Sequence, residues 1–164
     1  MDSSLLPTLA EKLGIQLKNR HWQLTTVESC TGGGLAYWVT SIPGSSTWFT
    51  GGYVTYSDRA KVDMVDVRPA TLQSIGAVSE ATARELADGS LKKTRADVSI
   101  AITGIAGPDG GSQEKPVGTV WFAWASPHFP LHTRLKTFSG NRQEIREQAI
   151  AFAFTTLLEL LAAI

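Results

Sequence analysis

Apolar positions along the chain follow two periods, one helical and one extended, and their alternation outlines a fold. Leu6, Leu9, Leu13 and Leu17 recur at helical spacing, with Pro7 where a first turn tolerates it, so the chain opens with a helix that buries one face. Residues 22–27 read as a first strand, and the small-residue turn at Ser29 leads into a helix ending near residues 41–44. After a polar loop of Ser45, Ser46 and Thr47, residues 48–56 are aromatic and β-branched enough for a second strand; the Gly51-Gly52 pair in it signals a bulge or a close backbone approach. Ser57-Asp58 caps a short helix with Lys61 in its first turn, Pro69 opens another, and Ser79-Glu80 starts a third. That third helix runs to about Lys93, with Ala83, Leu86, Ala87 and Leu91 along its inner face.

Residues 97–103 form a third strand, whose apolar half reads as buried on both sides. A Gly-rich loop fills 104–116, and loops of that length inside compact domains are usually functional or mobile. Residues 117–125 and 131–138 are strands joined by a short turn, and Ser139-Gly140-Asn141 caps a last helix with Arg142 in its first turn. Strands separated by helices run parallel with right-handed crossovers, whereas a short turn makes its strands antiparallel. If the fourth strand also lies antiparallel to the third, the fifth points the same way as the first three. The expectation is an α/β fold in which Ser29, Tyr56, Thr103 and Ser139 share one sheet edge, at strand carboxyl ends, where open α/β sheets bind ligands.

The chain has 164 residues, enough for one domain spanning 1–164 with an adequate core. Its fifteen basic and fifteen acidic side chains cancel and are dispersed, which disfavours nucleic acid as a main ligand. The single Cys30 excludes an internal disulfide and a cysteine zinc cluster and suits a reducing cytoplasm. The first residues lack the basic start and apolar centre of a signal peptide. The apolar run 149–164 is shorter than the ~20 residues of a membrane span and contains Thr155, Thr156 and Glu159. It reads as a buried helix, and with the five tryptophans it leaves room for a homodimer.

Chemistry concentrates at the turn after the first strand. Neither a GxxxxGK[ST] nor a GxGxxG spacing is present, so Ser29 stands as the candidate there. Serine before a helix is more often a cap than a nucleophile, and attack would need a base and an oxyanion site. His21, His128 and His132 fall away from that edge, which leaves no Ser-His-Asp triad. Lys61 is the one lysine at the right edge near a tyrosine, and it can act as a base if burial lowers its pKa; its ordinary role is a solvated side chain. Tyr56 and Thr103 can each hold the lysine or donate to an oxyanion, or simply finish a strand. Cys30 is better read as a small buried hydrophobe, and Asp109 with Glu114 as turn chemistry rather than a metal site. Arg142 beside free amides at a helix start is a plausible phosphate seat.

Several stretches together resemble one family. Glu-Ser-Cys-Thr-Gly-Gly at 28–33, Pro-Gly-Ser-Ser at 43–46, Val-Thr-Tyr-Ser before Lys61, Gly-Ala-Val-Ser-Glu at 76–80, Thr-Gly-Ile-Ala-Gly-Pro-Asp-Gly-Gly at 103–111 and Lys-Pro-Val-Gly-Thr-Val at 115–120 are similar to the CinA C-terminal domain family. The resemblance implies a three-layer α/β/α sandwich on a five-stranded mixed sheet with the fourth strand antiparallel, in the stand-alone form of the family. It implies hydrolysis of nicotinamide mononucleotide to nicotinate mononucleotide and ammonia, without metal or organic cofactor. By the same likeness Ser29 is the nucleophile, Lys61 its activator, and Tyr56 and Thr103 line the pocket. Cys30, Thr31, Gly32, Gly33, Ser46, Gly104 and Arg142 are then the substrate-binding set, with Arg142 near the phosphate. The expected oxyanion donors are the amides of residues 30–33 or the Thr103 hydroxyl. The rival readings are an amidase for a different small amide and a non-catalytic nucleotide- or partner-binding module.

Overall fold

Strands and helices follow one another in the order that the two periods predict. The computed structural model describes residues 2–164. The elements are α1 (Leu5–Arg20), β1 (Leu24–Glu28), α2 (Gly34–Thr40), β2 (Phe49–Val54), α3 (Asp58–Val65), α4 (Pro69–Ile75), α5 (Glu80–Thr94), β3 (Val98–Gly104), β4 (Thr119–Ala125), β5 (His132–Thr137) and α6 (Arg142–Ala162). A single 3-10 turn, Ser45–Thr47, precedes β2. The strands lie in the order β2-β1-β3-β4-β5. β1 is parallel to both neighbours, and β4 is antiparallel to β3 and to β5. The fourth strand is thus the reversed one, and β5 runs with the first three.

Period-two alternation sends each strand's side chains into two separate cores. Leu24, Ile100, Ile102, Phe122 and Trp124 pack against α1, α2 and α6, whereas Val27, Ala101, Ala123 and Ala125 face α3 and α5. The strands therefore offer large residues to one layer and small ones to the other, and the small ones let α5 lie close on the sheet. α3 and α5 also approach each other closely: a Cβ at Gly89 would stand 1.8 Å from the Val65 carbonyl oxygen. Gly89→Ala is expected to cost about 1–3 kcal/mol of stability through overpacking, more than alanine returns in helix propensity. A urea titration showing no fall in midpoint would refute that close pass.

Where boundaries differ from the sequence reading, side-chain contacts explain it. Trp22 stacks on His128 at 4.1 Å and Gln23 donates its amide to Asp97 at 2.8 Å, so β1 begins at Leu24. Gly118, with φ 94, turns the chain before β4, so that strand begins at Thr119. The final helix starts at a capping box: Asn141 accepts from the Glu144 amide at 3.0 Å while Glu144 accepts from the Asn141 amide at 2.7 Å. Among the described residues no helix is long and apolar enough to cross a membrane. The arrangement brings the ends of β1, β2 and β3 to one edge of the sheet.

Candidate active site

β1 ends at Glu28, and Ser29, the first residue beyond it, donates its amide to the Ile102 carbonyl of β3 at 3.0 Å. The chain then turns back under itself: the Gly32 amide reaches the Ser29 carbonyl at 3.0 Å and the Gly34 amide the Thr31 carbonyl at 2.9 Å. Gly32 and Gly33 have φ of 58 and 96, a left-handed geometry that glycine adopts without a Cβ penalty. Beneath the turn lies Glu28, whose side chain is fully buried. One of its oxygens accepts from the Thr31 hydroxyl and the Leu35 amide, both at 2.7 Å, and the other from the Ala36 amide at 3.1 Å. A carboxylate at this helix start satisfies orphan amides at the positive end of α2. Burial pushes the Glu28 carboxyl up, and the donors pull it back. Arg146 of α6 supports the turn from outside, donating to the Thr31 carbonyl at 3.1 Å.

The neighbour of Ser29 comes from the next strand and helix. Ser57 caps α3 by accepting from the Ala60 amide at 3.0 Å. One turn in, Lys61 is only 1% exposed. Its Nζ donates to the Thr55 carbonyl at 2.7 Å, the Tyr56 carbonyl at 3.3 Å and the Ser29 hydroxyl at 3.1 Å. Desolvation lowers the Lys61 pKa, with Asp58 and Cys30 acting in the opposite sense. Carbonyls only accept, so a neutral amine aims its two N-H bonds at Thr55 and Tyr56 and turns its lone pair toward Ser29 Oγ. That is the geometry of a nucleophile beside its base.

Ser29 and Lys61 open into a cavity of about 280 Å³, walled also by Tyr56, Thr103, Gly104 and Arg142. Arg142 donates from Nη1 to the Gly107 carbonyl at 2.7 Å and from Nη2 to the Tyr56 hydroxyl at 2.9 Å. Its guanidinium therefore bridges the loop after β3 and the second residue beyond β2. Cys30 also lines the cavity, buried, and burial pushes its thiol up to about 12, which keeps it protonated at neutral pH. Among the described residues, no group of three or more His, Cys, Asp or Glu is placed to hold a metal ion.

The fold brings some of the expected site residues to this cavity and leaves others away from it. The Thr103 hydroxyl gives its proton to the Ala77 carbonyl at 2.9 Å, so toward the cavity it is an acceptor and not an oxyanion donor. Thr31, Gly32 and Gly33 shape the turn and do not line the cavity; their hydroxyl and the Gly32 amide are committed to Glu28 and Ser29. Of the four expected amides, that of Gly32 is taken by the Ser29 carbonyl and that of Gly33 meets Glu28, and only Cys30 among the four residues lines the cavity. Ser46 is exposed in the 3-10 turn before β2, at the opposite edge of the sheet, because the Trp48 carbonyl beside it binds the amide that starts β1. At the start of α6 the Asn141 amide is taken by the Glu144 carboxylate and the Glu144 amide by the Asn141 side chain, and Arg142 is the residue of that turn that lines the cavity. Glu28, Asp58, Ala77 and Asp109 were not anticipated at the site. Asp58 was within reach of sequence reading, since it lies three residues before Lys61 on one helix face.

Comparisons with known proteins agree with this architecture. A nicotinamide-nucleotide amidohydrolase, PncC, of Escherichia coli K12 is 54% identical over 157 residues, covering 96% of this chain and 95% of that protein. A PncC of Pseudomonas putida is 43% identical over 155 residues, covering 94% and 96%. The crystal structure of a CinA superfamily protein from Klebsiella pneumoniae 700603 superposes with a TM-score of 0.93 at 40% identity, covering 97% of this chain and 99% of its own. Since the sequence model of the CinA C-terminal domain matches residues 6–161, which hold the whole five-stranded sheet and the Ser29 turn, this chain belongs to the CinA C-terminal domain family.

Proposed function

We propose that the protein hydrolyses the carboxamide of nicotinamide mononucleotide, giving nicotinate mononucleotide and ammonia, with Ser29 as nucleophile and Lys61 as its base. The observation that carries this reading is the 3.1 Å contact between Lys61 Nζ and Ser29 Oγ in a wall shielded from water. The names borne by the E. coli and P. putida relatives support the choice of substrate.

The steps follow from the donors and acceptors present. Ser29 Oγ bonds to the carboxamide carbon while its proton passes to Lys61 Nζ, and the oxyanion meets the amide of Cys30, the one residue of 30–33 that lines the cavity. Lys61 then returns the proton to the departing nitrogen, the C-N bond breaks, and ammonia leaves an ester on Ser29. Thr103 Oγ1, its own proton spent on Ala77, accepts from the carboxamide N-H and orients it. Water attacks the ester, with Lys61 again taking the proton and passing it to Ser29 Oγ as the acyl C-O bond breaks, and the acid is released. Arg142 meets the phosphate.

The test is ammonia release from nicotinamide mononucleotide by the purified protein without added metal. Lys61→Arg keeps a positive charge but cannot give up its proton, so a base role requires its activity to fall by at least about 10³-fold. Wild-type kcat/KM should climb with pH as Lys61 loses its proton, and desolvation places that rise below the usual lysine value of 10.5. An active Lys61→Arg enzyme would reduce Lys61 to an electrostatic support. Binding without ammonia release in the wild type would favour a nucleotide-binding module.

A further inference from the structure

The cavity holds more charge than acyl transfer uses. Besides Lys61 and Arg142 it is lined by two carboxylates, Asp58 in the first turn of α3 and Asp109 in the loop after β3. Neither takes part in the ion pairs found among the described residues, which use Asp63, Glu85, Glu80, Asp66 and Asp97. Acids with a structural task in this fold are engaged by donors: Glu28 holds the start of α2, Glu85 accepts from Arg68 and Thr71, and Glu144 closes a capping box. Asp58 gains something from its place at the start of α3. Asp109 has no such position, and both carboxylates face the space where substrate must lie.

We propose that Asp58 and Asp109 are specificity residues that select the fixed positive charge of a pyridinium ring, an inference that rests on the function proposed above. In a nicotinamide nucleotide the ring nitrogen is cationic because it carries the ribose. The carboxamide sits two ring bonds from that nitrogen, so a substrate whose amide carbon reaches Ser29 must bring the cation into the same cavity. The charges are then complementary along the ligand, with acids at the ring and Arg142 at the phosphate. A neutral ring of the same shape gains nothing from the two acids, and uncharged amides lacking the phosphate are rejected at both ends.

The experiment compares nicotinamide mononucleotide with benzamide riboside 5′-phosphate, whose ring is neutral, on the wild type, Asp58→Asn, Asp109→Asn and the double variant. Each single substitution should lower kcat/KM for the cationic substrate roughly 3–10-fold, chiefly through KM, while the neutral isostere changes by less than about twofold; added salt should narrow the preference. A pH profile separates this from an effect on the base. Asp58 is the charged group that raises the Lys61 pKa at neutral pH, where Cys30 is a neutral thiol, and Tyr56, Asp109 and Arg142 are the other titratable or charged groups lining the cavity. Asp58→Asn should therefore move the acid limb to lower pH, whereas Asp109→Asn should lose discrimination with the limb unmoved. Equal losses on both substrates, or no loss on either, overturn the proposal. If the wild type releases ammonia from neither compound, the hydrolase reading fails separately. Calorimetric binding of the two compounds to the same four proteins then decides the question, and an unchanged preference there overturns the proposal.

Discussion

Ser29→Ala is expected to abolish turnover, by about 10⁴-fold or more, while leaving ligand affinity and fold nearly intact. The substitution removes one oxygen from a side chain that is 8% exposed at the cavity wall. The Ser29 amide keeps its bond to the Ile102 carbonyl, so the turn retains its attachment to β3. Lys61 loses one of three partners and keeps the Thr55 and Tyr56 carbonyls, which still locate its Nζ. The groups assigned to the substrate's phosphate and ring, Arg142, Asp58 and Asp109, are untouched. What disappears is the only atom that can form the ester, and the uncatalysed attack of water on an amide is slow enough that little activity should remain. Single-turnover ammonia release and calorimetry on the same preparation check both halves. If catalysis and binding fall together, Ser29 shapes the pocket rather than reacting. If neither falls, the nucleophile lies elsewhere, and Cys30, held protonated by burial, is a poor substitute.

The parts of this molecule legible in its sequence are those written as spacing. Leucines at 6, 13 and 17 place α1, the small residues at 29–34 mark the turn, and helix-separated strands imply the parallel pairings of β1. Topology alone assigns Ser29, Tyr56, Thr103 and Ser139 to one edge; the first three line one cavity and Ser139 does not. What spacing does not encode is where each proton goes. Spacing leaves Thr103 free to hold the lysine, donate to an oxyanion or finish its strand, and only the fold shows that its hydroxyl donates to the Ala77 carbonyl, 26 positions away. Ser46 belongs to a motif shared with the family, yet the turn carrying it precedes β2 and so sits at the far edge. Glu28 closes what reads as a buried strand, and an acid there gives no sign of purpose until the helix end above it is seen.

Glu28→Ala should be the most destabilising single change at the site. Glu28 is fully buried, and its removal strands the Thr31 hydroxyl and the Leu35 and Ala36 amides with no water to replace the lost acceptor. Each stranded donor costs about 1–3 kcal/mol, so a total loss of about 3–5 kcal/mol is expected after partial relaxation of the turn. Glu28→Gln keeps one acceptor oxygen but sets an NH₂ group against an amide that also donates, and should cost about 1–2 kcal/mol. Urea unfolding measures both, and an alanine variant within 1 kcal/mol of wild type, roughly the value of a single ordinary hydrogen bond, would show that the clamp is dispensable. The pH dependence carries an independent sign. Burial holds the folded pKa of Glu28 above its ordinary 4.5, so between 4.5 and that raised value the folded state binds more protons than the unfolded chain. The Glu28 contribution to stability must therefore decline as pH rises through that window, and Glu28→Gln should remove the decline. Because Ser29 is the next residue, the same substitution should lower kcat more than it raises KM: the turn that Glu28 clamps holds Ser29, the proposed nucleophile, whereas the groups proposed for the phosphate and ring belong to other elements.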